Sequence, residues 1–111
     1  MSKDEMIKKA IDERKMLSFV YHGKDRFVEP HRYGISKKNI RRNMMHAYQT
    51  EGGSNSKIIP EWGNFFIDEI RSLSLTNQTF EIERDFRPNS PKIPIGEVFA
   101  SLSDPRTSTK H

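Results

Sequence analysis

Residues 17–30 read LSFVYHGKDRFVEP, and this stretch decides the fold class. Leu17, Phe19 and Tyr21 alternate with Ser18 and Val20, the period-two pattern of a strand with one buried face. HGKD is a turn, in which Gly23 adopts a backbone conformation that costs other residues more. RFVEP is a second strand, and Pro30 marks its end or a sheet edge because proline cannot donate to a ladder. Two short strands joined by a tight turn make a β-hairpin.

Upstream, SKDEMIKKAIDERKM reads as a helix over residues 3–15. Ser2 and Glu5 have capping-box spacing. Ile7, Ala10, Ile11 and Arg14 recur at helical intervals, and Lys, Asp and Glu fill the other face. The apolar stripe is narrow, so this helix is expected to pack on another element. Downstream, NMMHAYQ (43–49), NFFI (64–67) and IRSLSLT (70–76) are three further strands, with a tight corner at Asp68 and Glu69. A helix followed by five short strands at hairpin spacing predicts a mainly β fold, a small five-stranded antiparallel barrel with an N-terminal helix. Closure or near-closure of such a sheet limits exposed edges. This barrel domain is assigned to residues 1–80 and a C-terminal extension to 81–111. Within the extension RPNSPKIP is a Pro-rich linker. Ile95, Val98, Phe99 and Leu102 fall at i, i+3, i+4 and i+7, which predicts a short amphipathic helix over 93–102. A helix this short is marginal alone, so it is expected to dock on the barrel or on a second copy.

The chain has 111 residues, net charge +4 and no cysteine. One compact core is feasible at this length, and disulfides and thiolate metal sites are excluded. The charged N-terminus has no apolar core of a signal peptide, and no run approaches the roughly 18 apolar residues of a membrane span. The expectation is a cytoplasmic protein with no membrane partner. The small excess of Lys and Arg permits an anionic partner without demanding one.

AIDERKMLSFVYHGKDRFVEPHRYG, then AYQ, then WGNFFIDEIRSL together resemble the bacterial WYL domain, and most closely its small stand-alone members. The marks are Ile11, Glu13, Arg14, Tyr21, Val28, Pro30, Gly34, Ala47, Tyr48, Phe65, Asp68 and Ile70, spread over roughly residues 5–80. The resemblance implies an Sm-like, Src-homology-3-type barrel, and a ligand-sensing role in transcription regulation or phage defence, with nucleic-acid ligands known for some members. The tripeptide that names the family would fall at Asn43, Met44 and Met45 and is absent. His46 stands where members often carry arginine, and Glu69 replaces a basic residue before the final isoleucine.

Several groups are candidates for chemistry. Residues 50–61 form a polar loop of about 12 residues, longer than usual for a connection. Gly52, Gly53, Ser54 and Ser56 beside Tyr48, Gln49 and Lys57 read either as a pocket rim for a phosphate or a base, or as a solvated turn. Arg32, Lys37, Lys38, Arg41 and Arg42 read either as a phosphate track or as a charged tip that discourages edge pairing. Tyr33 and Tyr48 offer stacking platforms. His22, His31 and His46 lack metal-ligand spacing, and for His31 either a polar tip beside the barrel or a hydrogen bond to neighbouring backbone is expected instead. Glu29 with His31, or Asp68 with Glu69, have the residue types of acid–base pairs, but no nucleophile elbow, phosphate-binding loop or acidic metal cluster accompanies them. Trp62, Phe65 and Phe66 are expected in the core or at the barrel rim.

The resulting expectation is a non-enzymatic regulatory binding module with no cofactor, no metal and no catalytic residue. Its ligand would be a nucleotide, a single-stranded nucleic acid or another anion, held by Arg41, Arg42, His46, Tyr48, Gln49, Ser54, Ser56 and Lys57. The alternative is a protein-interaction adaptor that binds a partner, or a second copy, through a strand edge or the C-terminal segment.

Overall fold

The computed structural model describes residues 1–39, 41–53 and 58–106. Helix α1 (Lys3–Glu13) is followed by β1 (Lys15–Tyr21), β2 (Lys24–Ser36), β3 (Asn43–Gly52), β4 (Glu61–Phe66), a 3-10 turn (Ile67–Glu69), β5 (Ile70–Thr79) and β6 (Ile95–Ser101). The capping box forms: Glu5 N–H donates to the Ser2 hydroxyl, and Ser2 N–H donates to the Glu5 carboxylate. Arg14 ends the helix in the left-handed region (φ 53°) and turns the chain straight into β1.

The hairpin at Tyr21–Lys24 has two central residues, His22 and Gly23, at φ 52° and 77°. Positive φ at both is the geometry of the tight turn that matches strand twist. The strands form one antiparallel sheet in the order β4-β3-β2-β1-β5, with β6 added to β2. Among the described residues β4 and β5 do not pair, so the ladder is open rather than closed. The expected five strands are therefore present, in a sheet of six.

Proline 30 does not end the second strand. β2 runs through it to Ser36, with a register irregularity between Pro30 and Arg32. On its other edge β2 pairs β1 up to Val28 and β6 from Arg32 onward. Pro30 thus falls in the gap between two partners, where its missing N–H breaks no bond.

The helix expected over 93–102 is a correction, because those residues hold β6 instead. Pro94 and Gly96 disfavour helix, whereas Ile93, Ile95, Val98 and Phe99 suit a pleated surface. The edge of β2 beyond β1 also offers unpaired backbone groups that β6 satisfies. The approach is so close that a Cβ on Gly34 would lie 2.0 Å from the Glu97 carbonyl oxygen. The segment does dock on the sheet, as a strand.

The two sheet faces carry different cores. The inner face packs Leu17, Phe19, Tyr21, Val28, Tyr33, Met45, Ala47, Phe65 and Ile70 against Ile7, Ala10 and Ile11 of α1. The outer face of β2, β3 and β4 carries a second cluster, Met44 with Trp62 and Phe66, covered by Ile82, Phe86, Ile93 and Ile95. Residues 80–94, read from sequence partly as linker, form this cover. No helix among the described residues is long and apolar enough to cross a membrane.

Candidate functional site

The alternation of β3 separates the residues singled out in the sequence. Met45, Ala47 and Gln49 point to the inner core, while His46 and Tyr48 face outward. Gln49 is buried. Its Oε1 accepts from Arg26 Nη1 (3.2 Å), and its Nε2 donates to the Glu51 and Gly53 carbonyls (3.1 and 2.9 Å). It closes the strand end from within. Its partner Arg26 is also buried and lies over the Tyr21 and Phe65 rings.

Arg41 and Arg42 lie elsewhere, in a hollow with Lys3, Asn43, Ile67 and Asp68. Arg42 donates from Nε (3.1 Å) and Nη2 (2.7 Å) to Asp68, donates again to Glu69, and covers the Phe66 ring. Its charge is met by two carboxylates, and these hydrogen bonds raise its pKa above the usual value. Arg41 is exposed and makes no ion pair among the described residues. Ser54, Ser56 and Lys57 lie outside the described residues.

The outer face is where groups converge. Opposite pairs in the register are His46 with Asn64 and Tyr48 with Trp62 across β3 and β4, and Arg32 with His46 across β2 and β3. His46 lies flat on Trp62, with centroids 4.6 Å apart and planes 2° apart, and Tyr48 meets Trp62 edge-on at 5.1 Å. His46 Nδ1–H donates to Asn64 Oδ1 (2.8 Å). Burial pushes the His46 pKa down, so the ring is held neutral, and Arg32 acts in the same direction.

Residues 80–94 form the other wall. Trp62 Nε1–H donates to Asp85 Oδ2 (3.1 Å), and Phe86 is fully buried against His31, His46 and Trp62. Between wall and sheet lies a cleft of about 480 Å³ lined by His46, Trp62, Asn64, Asp85, Phe86, Arg87, Ser90, Lys92 and Ile93. Its floor is an aromatic stack, Asn64 offers an amide, and Arg87 and Lys92 bring positive charge against the single carboxylate of Asp85. Lys92 makes no ion pair among the described residues.

His31 sits under the same wall. Its Nδ1–H donates to the Glu29 carbonyl (2.9 Å), and its Nε2 accepts from Glu83 N–H (3.0 Å). Both nitrogens are committed to backbone, the second of the two roles expected from sequence, and burial pushes its pKa down to about 4. The Glu29–His31 pair therefore lacks a free base, and Asp68 and Glu69 are occupied by Arg42. Among the described residues no three His, Asp or Glu side chains gather as a metal site.

Trp62, Asn64, Asp85, Phe86, Arg87 and Lys92 were missed as site residues. One signal was present: in EWGNFF strand alternation puts Trp62, Asn64 and Phe66 on one face. Another was the apolar series Phe80, Ile82, Phe86 and Ile93, too apolar for a bare linker.

No family model, curated protein or solved structure matches this chain.

Proposed function

We propose that this protein is a small, non-enzymatic binding module for a planar anionic ligand, a nucleotide or single-stranded nucleic acid, taken into the cleft between β3–β4 and residues 80–94. The observation that carries this reading is the combination in one cleft of the His46–Trp62 stack, the Asn64 amide and the cations Arg87 and Lys92. A base needs a π-face and a hydrogen-bonding edge, and a phosphate needs cations; base–aromatic stacking is worth about 1–3 kcal/mol per base. Tyr48 extends the aromatic surface along β3. Arg41 would meet phosphates farther along the chain, at the β2–β3 connection. The five-strand path with a 3-10 turn before β5 and a helix before β1 supports reading the sheet as an Sm-like barrel of the stand-alone WYL type, acting in regulation in the cytoplasm. The test is a titration of short single-stranded oligonucleotides at several salt concentrations, followed by Trp62 emission. Binding should weaken steeply with salt, and Tyr48→Ala should weaken it while leaving the salt slope intact. No binding at low salt would overturn the proposal.

One observation favours the adaptor reading. β6 pairs only with β2 among the described residues, and Val98 and Phe99 on it are each 37% exposed. Partner binding along this edge would change little with salt.

A further inference from the structure

The polar groups of the cleft are partly engaged within the protein, and what is left has a fixed polarity. Asn64 Oδ1 accepts from His46 Nδ1–H (2.8 Å), which leaves the two Nδ2 donors. Asp85 Oδ2 accepts from Trp62 Nε1–H (3.1 Å), which leaves Oδ1 and a second lone pair on Oδ2. A carboxylate is an acceptor only. Both residues are exposed and both line the cleft. Among the described residues neither Asn64 Nδ2 nor Asp85 Oδ1 meets a protein group. The imidazole and indole that hold them are parallel to within 2°. Ring N–H bonds lie in the ring plane, so the amide and the carboxylate stand at the edges of one stack rather than over its face. Arg87 Nη1 is committed to the Arg84 and Phe86 carbonyls (2.7 and 2.9 Å), which fixes its charge at the rim.

We propose that the cleft selects guanine among the nucleobases, with the Asp85 carboxylate accepting from guanine N1–H and N2–H and the Asn64 amide donating to O6. This preference rests on the cleft being the nucleotide site and adds the base that the site takes.

The choice follows from the hydrogen-bond pattern of each base. Guanine alone sets two parallel N–H bonds, N1–H and N2–H, side by side on one edge, with the O6 acceptor next to them. A carboxylate takes such a pair with one bond to each oxygen, and bonds to an ionised acceptor are the strong ones. Asp85 has the lone pairs for this even while Trp62 holds Oδ2. The amino hydrogens of adenine and cytosine diverge, so each offers the carboxylate one bond on its pairing edge. Uracil and thymine offer only N3–H, flanked by two carbonyls that repel a carboxylate. A site with two acceptors, or with a cation in place of Asp85, would rank the bases differently. The phosphate is left to Lys92 and Arg87, away from Asp85.

The experiment is an NMR titration of the full chain at low salt with the 5′-monophosphates of guanosine, inosine, adenosine, cytidine and uridine. Trp62 is the only tryptophan, so its indole N–H gives a single signal to follow. Inosine differs from guanosine by the missing N2 amino group. Guanosine monophosphate should bind roughly tenfold tighter than inosine monophosphate, the worth of one hydrogen bond to a charged acceptor. The other three should bind no tighter than inosine monophosphate. In Asp85→Asn the amide oxygen can go on accepting from Trp62, while the amide N–H2 opposes the guanine donors. Guanosine monophosphate should then lose about tenfold or more, and adenosine monophosphate, whose N1 is an acceptor, should lose nothing. Removal of a negative charge alone would strengthen all five alike. Equal affinities for the guanosine, inosine and adenosine monophosphates, or a preference that survives in folded Asp85→Asn, would overturn guanine selection and leave the proposed function standing. No binding of any nucleotide would strike the proposed function and this inference with it. The guanosine–inosine comparison uses the wild type, so it decides the matter even if the variant does not fold.

Discussion

Replacing Phe86 by alanine tests whether residues 80–94 belong to the fold. Phe86 is 1% exposed, with its ring centroid 4.9 Å from His31 and 5.8 Å from Trp62. Deleting a fully buried phenyl ring costs about 3–5 kcal/mol through lost transfer energy and the cavity left behind. Against a total stability of roughly 5–15 kcal/mol for a domain of this size, that is a large share. Undocking of the cover alone would limit the loss, because a segment can forfeit no more than its own docking energy. Both routes uncover Trp62. The assay is urea unfolding together with Trp62 emission and amide exchange at Glu83, whose N–H is tied to His31. The expected result is a loss of about 3 kcal/mol or more, or an undocked cover with red-shifted emission and fast exchange at Glu83. A loss under about 1 kcal/mol with unchanged emission would refute the packing argument.

Gly34→Ala should displace β6, because the new Cβ would meet the Glu97 carbonyl; a cost of about 1–3 kcal/mol is expected for such overpacking, with amide protection lost along β6 first. Tyr33→Phe removes the hydroxyl that donates to Asp4 Oδ1 at 2.8 Å and links α1 to the sheet. It should cost about 1 kcal/mol, and an NMR titration should show the Asp4 pKa, now held down chiefly by that hydroxyl, move back up. His31 should remain neutral at pH 5.5, with its proton on Nδ1, as read from ring nitrogen shifts; a charged ring there would contradict its burial. The unfolded chain binds the proton that His31 refuses, so His31 lowers stability as pH falls from 6.5 to about 4, by up to about 3 kcal/mol. Glu29 acts oppositely: its raised pKa stabilises the fold as pH falls from about 8 toward 4.5, offsetting part of the histidine loss where the ranges overlap.

What was legible in the sequence was local. The Ser2–Glu5 box, the His22–Gly23 turn and the alternation of Leu17, Phe19 and Tyr21 act within a few residues, and each forms as written. β6 was misread because its apolar residues also satisfy a helical period, and the edge of β2 that draws it into a strand lies about sixty residues away in the chain. Pro30 was read as a strand end or a sheet edge, and the choice between them could not be made locally, since the gap between two partner strands exists only in the assembled sheet. His46 and Tyr48 were marked from sequence, and strand alternation sets them on the face opposite Gln49. Arg42 looked like a free cation until the corner at Asp68 and Glu69 folded back onto it. Trp62 packs at the rim of the outer cluster, as its sequence suggested, and also floors the cleft because Asp85 and Phe86 close over one side of it.

The central claim is that the cleft between β3–β4 and residues 80–94 binds a planar anion. Its most direct test is a two-dimensional nitrogen–proton NMR titration with a short single-stranded oligonucleotide at low salt. The single indole N–H of Trp62 and the side-chain amide of Asn64 should shift together, with the backbone amides of Arg87 and Lys92, and the shifts should fade as salt rises. Shifts confined to Lys37, Lys38 and Arg41, or to the exposed edge of β6, or no shifts at all, would contradict it.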